Sequence, residues 1–120
     1  MTIEISSIWL NDWKDASKKD LEQLFGLANS ELDSINILLA SYKLGDESAY
    51  AFILFSVDDV LYEVNASHDS EVDFEDQWQP EETTIEALLF RLNKGHLGSA
   101  KASENIFAVD LTEILHKLMH

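Results

Sequence analysis

The chain reads as an α+β fold, a three- or four-stranded antiparallel meander packed with three to four short helices in one domain spanning residues 1–120. Three observations predict it. Three runs rich in Ile, Val, Leu, Tyr and Phe (Ser34 to Leu44, Ala49 to Val57, Val60 to Ala66) follow one another with only turn residues between them. Helical periodicity flanks that block, after Ser17, after Pro80 and after Asp110. The middle run is apolar on both faces, with Tyr50, Phe52 and Leu54 on one side and Ala51, Ile53 and Phe55 on the other. Such a strand belongs inside a layered structure.

Element by element, Ile8, Trp9, Leu10 and Trp13 form an apolar cluster, read as core or helix-packing residues in one extra helical turn. Ser17 is an N-cap with Asp20 three residues on, and Leu21, Leu24, Phe25 and Ala28 give an amphipathic helix to about Leu27. Gly45-Asp46-Glu47 closes the first hairpin and Asp58-Asp59 the second, as a tight turn. Ser67 to Gln79 lacks apolar periodicity and reads as a loop. Pro80 suits the first turn of a helix running to about Asn93, where Glu81 and Glu82 would complement the dipole. Ile85, Leu88, Leu89 and Leu92 make its stripe, Arg91 and Lys94 complement its end, and Gly95 stops it. After a polar link from His96 to Ser103, Ile106 to Val109 reads as a fourth strand. Asp110-Leu111-Thr112-Glu113 resembles a capping box ahead of a helix lined by Leu111, Ile114, Leu115 and Leu118.

At 120 residues and 46% hydrophobic content, with three Trp, three Tyr and six Phe, the chain can fill a core without staples. The absence of cysteine excludes a disulfide framework, a thiolate nucleophile and a cysteine zinc site. The first thirty residues lack a signal-peptide pattern and no run of eighteen apolar residues occurs, so the expected location is cytoplasmic. The middle strand's two-sided apolarity predicts a homodimer or a tight partner, unless Trp9, Trp13 and the last helix supply the second cover.

The charge is unevenly distributed. Between Leu44 and Phe90 stand thirteen acids and no Lys or Arg, so this stretch carries −13 of the net −15. That potential argues against direct binding to nucleic acid or anionic membranes, which select Lys and Arg. It favours a basic protein surface as partner. The partner-binding residues expected are Asp69, Glu71, Asp73, Glu75, Asp76, Glu81, Glu82 and Glu86, with Trp78 between the acidic loop and the next helix. Trp78 reads first as an anchor of that loop against the core and second as an interface hot spot.

His68 with the neighbouring carboxylates has oxygen ligands for a hard cation, but lacks the glycine and the terminal Glu of a calcium loop. A solvated acidic surface is the preferred reading. His116 and His120 have zinc-clamp spacing but close a helix at the chain end, where cations suit the dipole. No metal and no cofactor is therefore expected. Glu63 reads as facing water and Asn65 as serving the turn into the loop. No nucleophile elbow or phosphate-cradling glycine loop occurs, so no catalytic residue is assigned and no enzyme is expected.

Leu39-Ala40-Ser41-Tyr42, Tyr50-Ala51-Phe52-Ile53-Leu54-Phe55, Leu61-Tyr62-Glu63-Val64-Asn65-Ala66-Ser67-His68 and Gln77-Trp78-Gln79-Pro80-Glu81-Glu82-Thr83-Thr84, with Glu86-Ala87-Leu88, cover about half of the chain. Together these strings resemble a family of small acidic proteins of bacteriophages, prophages and other mobile elements. That family has no assigned activity, so the resemblance implies a genomic setting rather than a mechanism. After the histidine its members carry a Cys-Ser-Cys-Tyr-Gly run, where this chain has Asp69, Ser70, Glu71, Val72 and Asp73. Soft ligands have given way to carboxylates.

The function expected is a non-enzymatic inhibitor of a host or rival nucleic-acid-binding protein, as in anti-restriction or anti-CRISPR roles, acting through a nucleic-acid-mimicking acidic surface. The alternative is a generic interaction protein, such as an immunity protein for a basic toxin.

Overall fold

Strand β3 (Ser48–Val57) is the axis of the molecule, as its two-sided apolarity requires. In the computed structural model, which describes residues 8–11, 13–28, 32–44, 48–69, 77–94 and 107–119, every residue from Ala51 to Phe55 is buried. β3 pairs antiparallel with β2 (Asn36–Leu44) on one side and β4 (Val60–Asp69) on the other. The expected meander is present, with β4 longer by three residues than its apolar pattern suggested. Its Val57-to-Val60 turn places Asp58 and Asp59 at φ of 51° and 68°, the positive values that a two-residue hairpin turn demands.

The sheet is wider than a meander and mixed rather than antiparallel. β1 (Ile8–Asn11) lies parallel to β2, and β5 (Glu81–Thr83) lies antiparallel to β4, giving the order β1-β2-β3-β4-β5. The Ile8-Trp9-Leu10 cluster is thus a strand and not a helical turn. A run this short cannot support a helix alone, but it can join a ladder already begun by Leu39 to Tyr42. Helix α1 (Lys18–Leu24) forms the crossover that a parallel pair needs.

Pro80 likewise precedes a strand instead of opening a helix. β5 is an edge strand, where a residue without an N–H is tolerated at the margin. The helix begins later, as α2 (Ile85–Asn93), because Thr84 is the better cap: its hydroxyl accepts the Ala87 N–H at 3.1 Å. Glu81 and Glu82 therefore do not sit on a helix dipole, and Glu86 is the acid of that first turn. Of the fourth strand expected at Ile106 to Val109, Ile106 lies outside the described residues, and Ala108 and Val109 instead open α3 (Ala108–Leu118). Phe107, its N-cap residue, is fully buried and stacks on Phe52 with ring centroids 4.6 Å apart. The supposed capping box at Asp110 lies inside the helix, where the Thr112 hydroxyl donates to the Ala108 carbonyl at 2.7 Å. The Gly95 stop and the link to Ser103 lie outside the described residues, as do Gly45, Asp46 and Glu47.

Helices cover both faces. On one, α1 and the segments flanking it bury Trp13, Leu21, Phe25 and Leu32 against Ile37, Ala40, Ile53, Phe55, Val64 and Ala66. On the other, α2 and α3 bury Leu88, Phe107, Leu111, Ile114 and Leu115 against Leu38, Leu39, Phe52 and Leu54. A register shift in β2 between Ile37 and Leu39 turns two consecutive leucines toward the second face. Because the chain supplies both covers itself, the apolarity of β3 makes no case for a second subunit. Among the described residues no helix is long and apolar enough to cross a membrane.

The α1 end is closed by local polar bonds. Asp20 accepts the Ser17 N–H at 2.8 Å and the Ser17 hydroxyl at 3.0 Å. Gly26 takes φ 68° after the C-cap, while the Leu27 N–H reaches the Glu22 carbonyl and the Gly26 N–H the Gln23 carbonyl. Glu22 is buried, its carboxylate accepting the Leu32 N–H at 3.0 Å, and Lys18 Nζ donates to the Ile35 carbonyl at 2.7 Å. These two bonds tie the helix to the turn that launches β2.

Candidate functional site

The expected partner-binding acids do not all fall where the structure can place them. Glu71, Asp73, Glu75 and Asp76 lie outside the described residues. Asp69 ends β4, paired in register with Ser48. Glu81 and Glu82 are exposed on β5, at the edge of the sheet, and Glu86 is exposed on the first turn of α2. The register brings the Asp58-Asp59 turn near this margin, since Thr83 pairs with Leu61, one residue from the turn's end. Five exposed acids thus share one edge and its adjoining corner.

Trp78 is half-buried and belongs to the core on the α1 side. Its ring stacks on Phe55 at 5.7 Å and 10° and meets Phe25 edge-on at 5.2 Å and 68°. It anchors the chain entering β5, the first of its two sequence readings. That anchoring has a consequence for its neighbours. Trp78 faces the α1 layer, whereas Gln77, Gln79 and Glu81 line a cleft with Glu63 and Asn65 of β4.

The floor of that cleft is a chain of polar side chains on the α2 side of the sheet. Glu63, only 4% exposed, does not face water. Its two carboxylate oxygens both accept from Arg91 Nη1 at 2.7 Å, and Oε1 also accepts from Asn65 Nδ2 at 2.7 Å. Asn65 Oδ1 in turn accepts the Tyr50 hydroxyl at 2.5 Å. Burial pushes the Tyr50 hydroxyl up to about 12, against the lowering effect of the Arg91 charge, and Glu63 adds to the rise. Arg91, in the last turn of α2 as expected, also reaches a partner on the sheet face beneath it, while Lys94 lies over the Phe90 ring.

These residues escaped sequence reasoning because the pair is 28 positions apart and meets only when α2 packs on β4. One signal was available. Glu63 shares its face of the strand with the partly buried Leu61, and Arg91 was a cation on the helix expected to pack against the sheet.

A second, larger and more open cleft of about 690 Å³ lies beside α1, where the Trp13 and Tyr42 rings stand 5.3 Å apart and Lys14, Asp15 and Asp20 contribute charge. Asp20 is held by the Ser17 cap, and no nucleophile with an oriented base lines the walls. Among the described residues no group of three or more His, Asp or Glu side chains is arranged to hold a metal ion. No protein-family model, curated protein or solved structure matches the chain.

Proposed function

We propose that the protein is a non-enzymatic binding module that occupies the basic, nucleic-acid-binding surface of a host or rival protein. The observation that carries this reading is charge segregation on an exposed sheet edge: Glu81, Glu82 and Glu86 stand in a stretch with thirteen acids and no Lys or Arg. Duplex DNA presents one negative charge per roughly 1.7 Å of axis, and proteins acting on it display matching cations. Glu81 and Glu82 point to opposite faces of β5, so this edge imitates charge density rather than a regular row of phosphates. The mobile-element resemblance of residues 39–95 supports a defence system as the target, and hence a cytoplasmic setting.

The test is displacement. Basic proteins retained from host lysate on immobilised DNA at low salt are washed with the protein and with Glu81→Lys/Glu82→Lys/Glu86→Lys. The expected result is release of a discrete protein by the wild type, lost in the variant and suppressed by salt, because exposed charges beyond a Debye length (about 10 Å at 0.1 M) are screened. No release, or equal release by both, overturns the reading.

A further inference from the structure

We infer that the outer edge of β1 is a strand-pairing surface for a second copy of this chain, joining two sheets through their β1 strands. The inference is independent of what the acidic edge binds.

The sheet has two edges, β1 and β5, and they are built differently. β5 carries the devices that keep an edge from pairing: it is three residues long, two of them are exposed glutamates, and Pro80 stands at its margin. β1 has neither charge nor proline. Ile8-Trp9-Leu10-Asn11 contains no ionisable side chain, and Ile8, Trp9 and Leu10 are each only partly buried. Apolar side chains flank this edge on both faces, Trp9 toward the α1 layer and Ile8 and Leu10 toward α2 and α3.

The backbone of the β1 edge is open as well. A strand bonded on one side presents the N–H and C=O groups of alternate residues on the other. Among the described residues β1 bonds to β2, and outside that ladder its only backbone bond is at the Leu10 carbonyl, which accepts the Trp13 N–H at 3.1 Å. Free donors and acceptors bordered by apolar side chains form a template for another strand.

Charge selects the occupant. Pairing β5 with β5 would set Glu81 and Glu82 of both copies against one another, and like charges across a strand pair are unfavourable. Pairing β1 with β5 is heterologous, leaves a free edge of each kind for the next copy and does not close at two. Pairing β1 with β1 in antiparallel sense is isologous, closes at two and joins uncharged segments. It also keeps the acidic edges apart. Nine strand intervals of about 4.8 Å separate the two β5 strands in the joined sheet, roughly 43 Å, which is several Debye lengths at 0.1 M salt.

The experiment combines light scattering with residue-resolved amide hydrogen exchange on the full chain, at about 20 µM and about 1 mM, since pairing follows mass action. The expected result is a mass rising from 13.6 kDa toward twice that value. Alternate amides of Ile8–Asn11 should gain protection with it, roughly tenfold once nine-tenths of the chains are paired, while those bonded to β2 keep theirs at both concentrations. Each copy carries −15, so added salt should strengthen the dimer, the opposite of its effect on displacement from DNA. Glu81→Lys/Glu82→Lys/Glu86→Lys should abolish displacement and leave the dimer intact, so the two readings can fail separately. A single mass at 1 mM, weakening by salt, or protection gained at β5 in place of β1 overturns the inference. If the mass stays single and an added Thr-Val-Thr-Val peptide protects the same β1 amides, the edge is a strand-addition site for another chain and self-pairing is overturned.

Discussion

The two faces of β4 pack against different materials. Toward α1, Tyr62, Val64 and Ala66 meet a layer of rings and aliphatic chains, with Phe55 stacked between Tyr62 at 5.5 Å and Trp78 at 5.7 Å. Toward α2, Leu61 is followed by Glu63 and Asn65, and the contact is an ion pair extended by two hydrogen bonds. One strand therefore contributes shape-driven packing on one side and a directional polar network on the other. The apolar face gains from any well-filled volume, whereas the polar margin has value only if each partner is in place.

The largest effects should come from emptying either apolar layer. Phe55→Ala on the α1 side and Phe107→Ala on the α3 side should each cost about 3–5 kcal/mol in denaturant unfolding, since both rings are buried and stacked. Against a typical stability of roughly 5–15 kcal/mol, either change removes a large share. A loss under about 1 kcal/mol for Phe107→Ala would mean that α3 does not close its face, and the two-sided description would fail.

The polar margin should respond differently, in a way that separates it from packing. Arg91→Leu leaves Glu63 buried without its cation and should cost about 3 kcal/mol. The double change Glu63→Leu/Arg91→Leu should recover most of that, because an apolar pair of similar volume avoids desolvating two charges. A double variant no more stable than the single one would show that the pair's geometry, and not uncompensated charge, holds α2 on the sheet.

How much of this was legible beforehand follows from the range of each interaction. The three long strands and the stripes Ile85-Leu88-Leu89-Leu92 and Leu111-Ile114-Leu115-Leu118 are local patterns, and they appear where periodicity put them. The two added strands are not local. β1 is defined by pairing with residues some thirty positions away, and β5 consists of Glu-Glu-Thr, with little intrinsic strand preference. Pro80 misled the helix boundary because it suits both a helix start and a strand margin. Of the candidate site, the exposed acids of the edge were readable as charge. The buried acid and its arginine needed the α2 docking geometry, and Gln77 and Gln79 were hidden in a stretch whose only cue was alternation about Trp78.

A smaller effect concerns the far end of the same network. The Tyr50 hydroxyl ionises near 12 in the folded chain against about 10 when unfolded, so the fold holds its proton over that interval. The associated stability is fully present below pH 10 and is lost as pH rises through 12. For a half-buried hydroxyl the change is about 1–2 kcal/mol. It should appear as a shrinking difference between wild type and Tyr50→Phe across that range, with the 295 nm absorbance titration losing its latest step in the variant. A stability difference that stays constant with pH would place the Tyr50 hydroxyl outside the polar margin's electrostatics.

The smallest effect tests what assigns residues to the two faces at all. Side chains on a strand alternate, so a one-residue slip of β4 against β3 would carry Glu63 and Asn65 into the aromatic layer and Val64 into the polar one. The Asp58-Asp59 turn sets that register. Both residues adopt positive φ, and two adjacent carboxylates repel each other there. Asn-Gly suits the same geometry without the charge, so Asp58→Asn/Asp59→Gly should raise stability by about 0.5–1 kcal/mol and the melting temperature by a few degrees. The pair also belongs to the acidic stretch, which makes the variant informative about function. If displacement from DNA depends on Glu81, Glu82 and Glu86, removing two charges at the hairpin corner should leave it nearly intact while the fold grows firmer. Loss of displacement in step with loss of charge would show that the corner belongs to the binding surface and that recognition extends beyond the β5 edge.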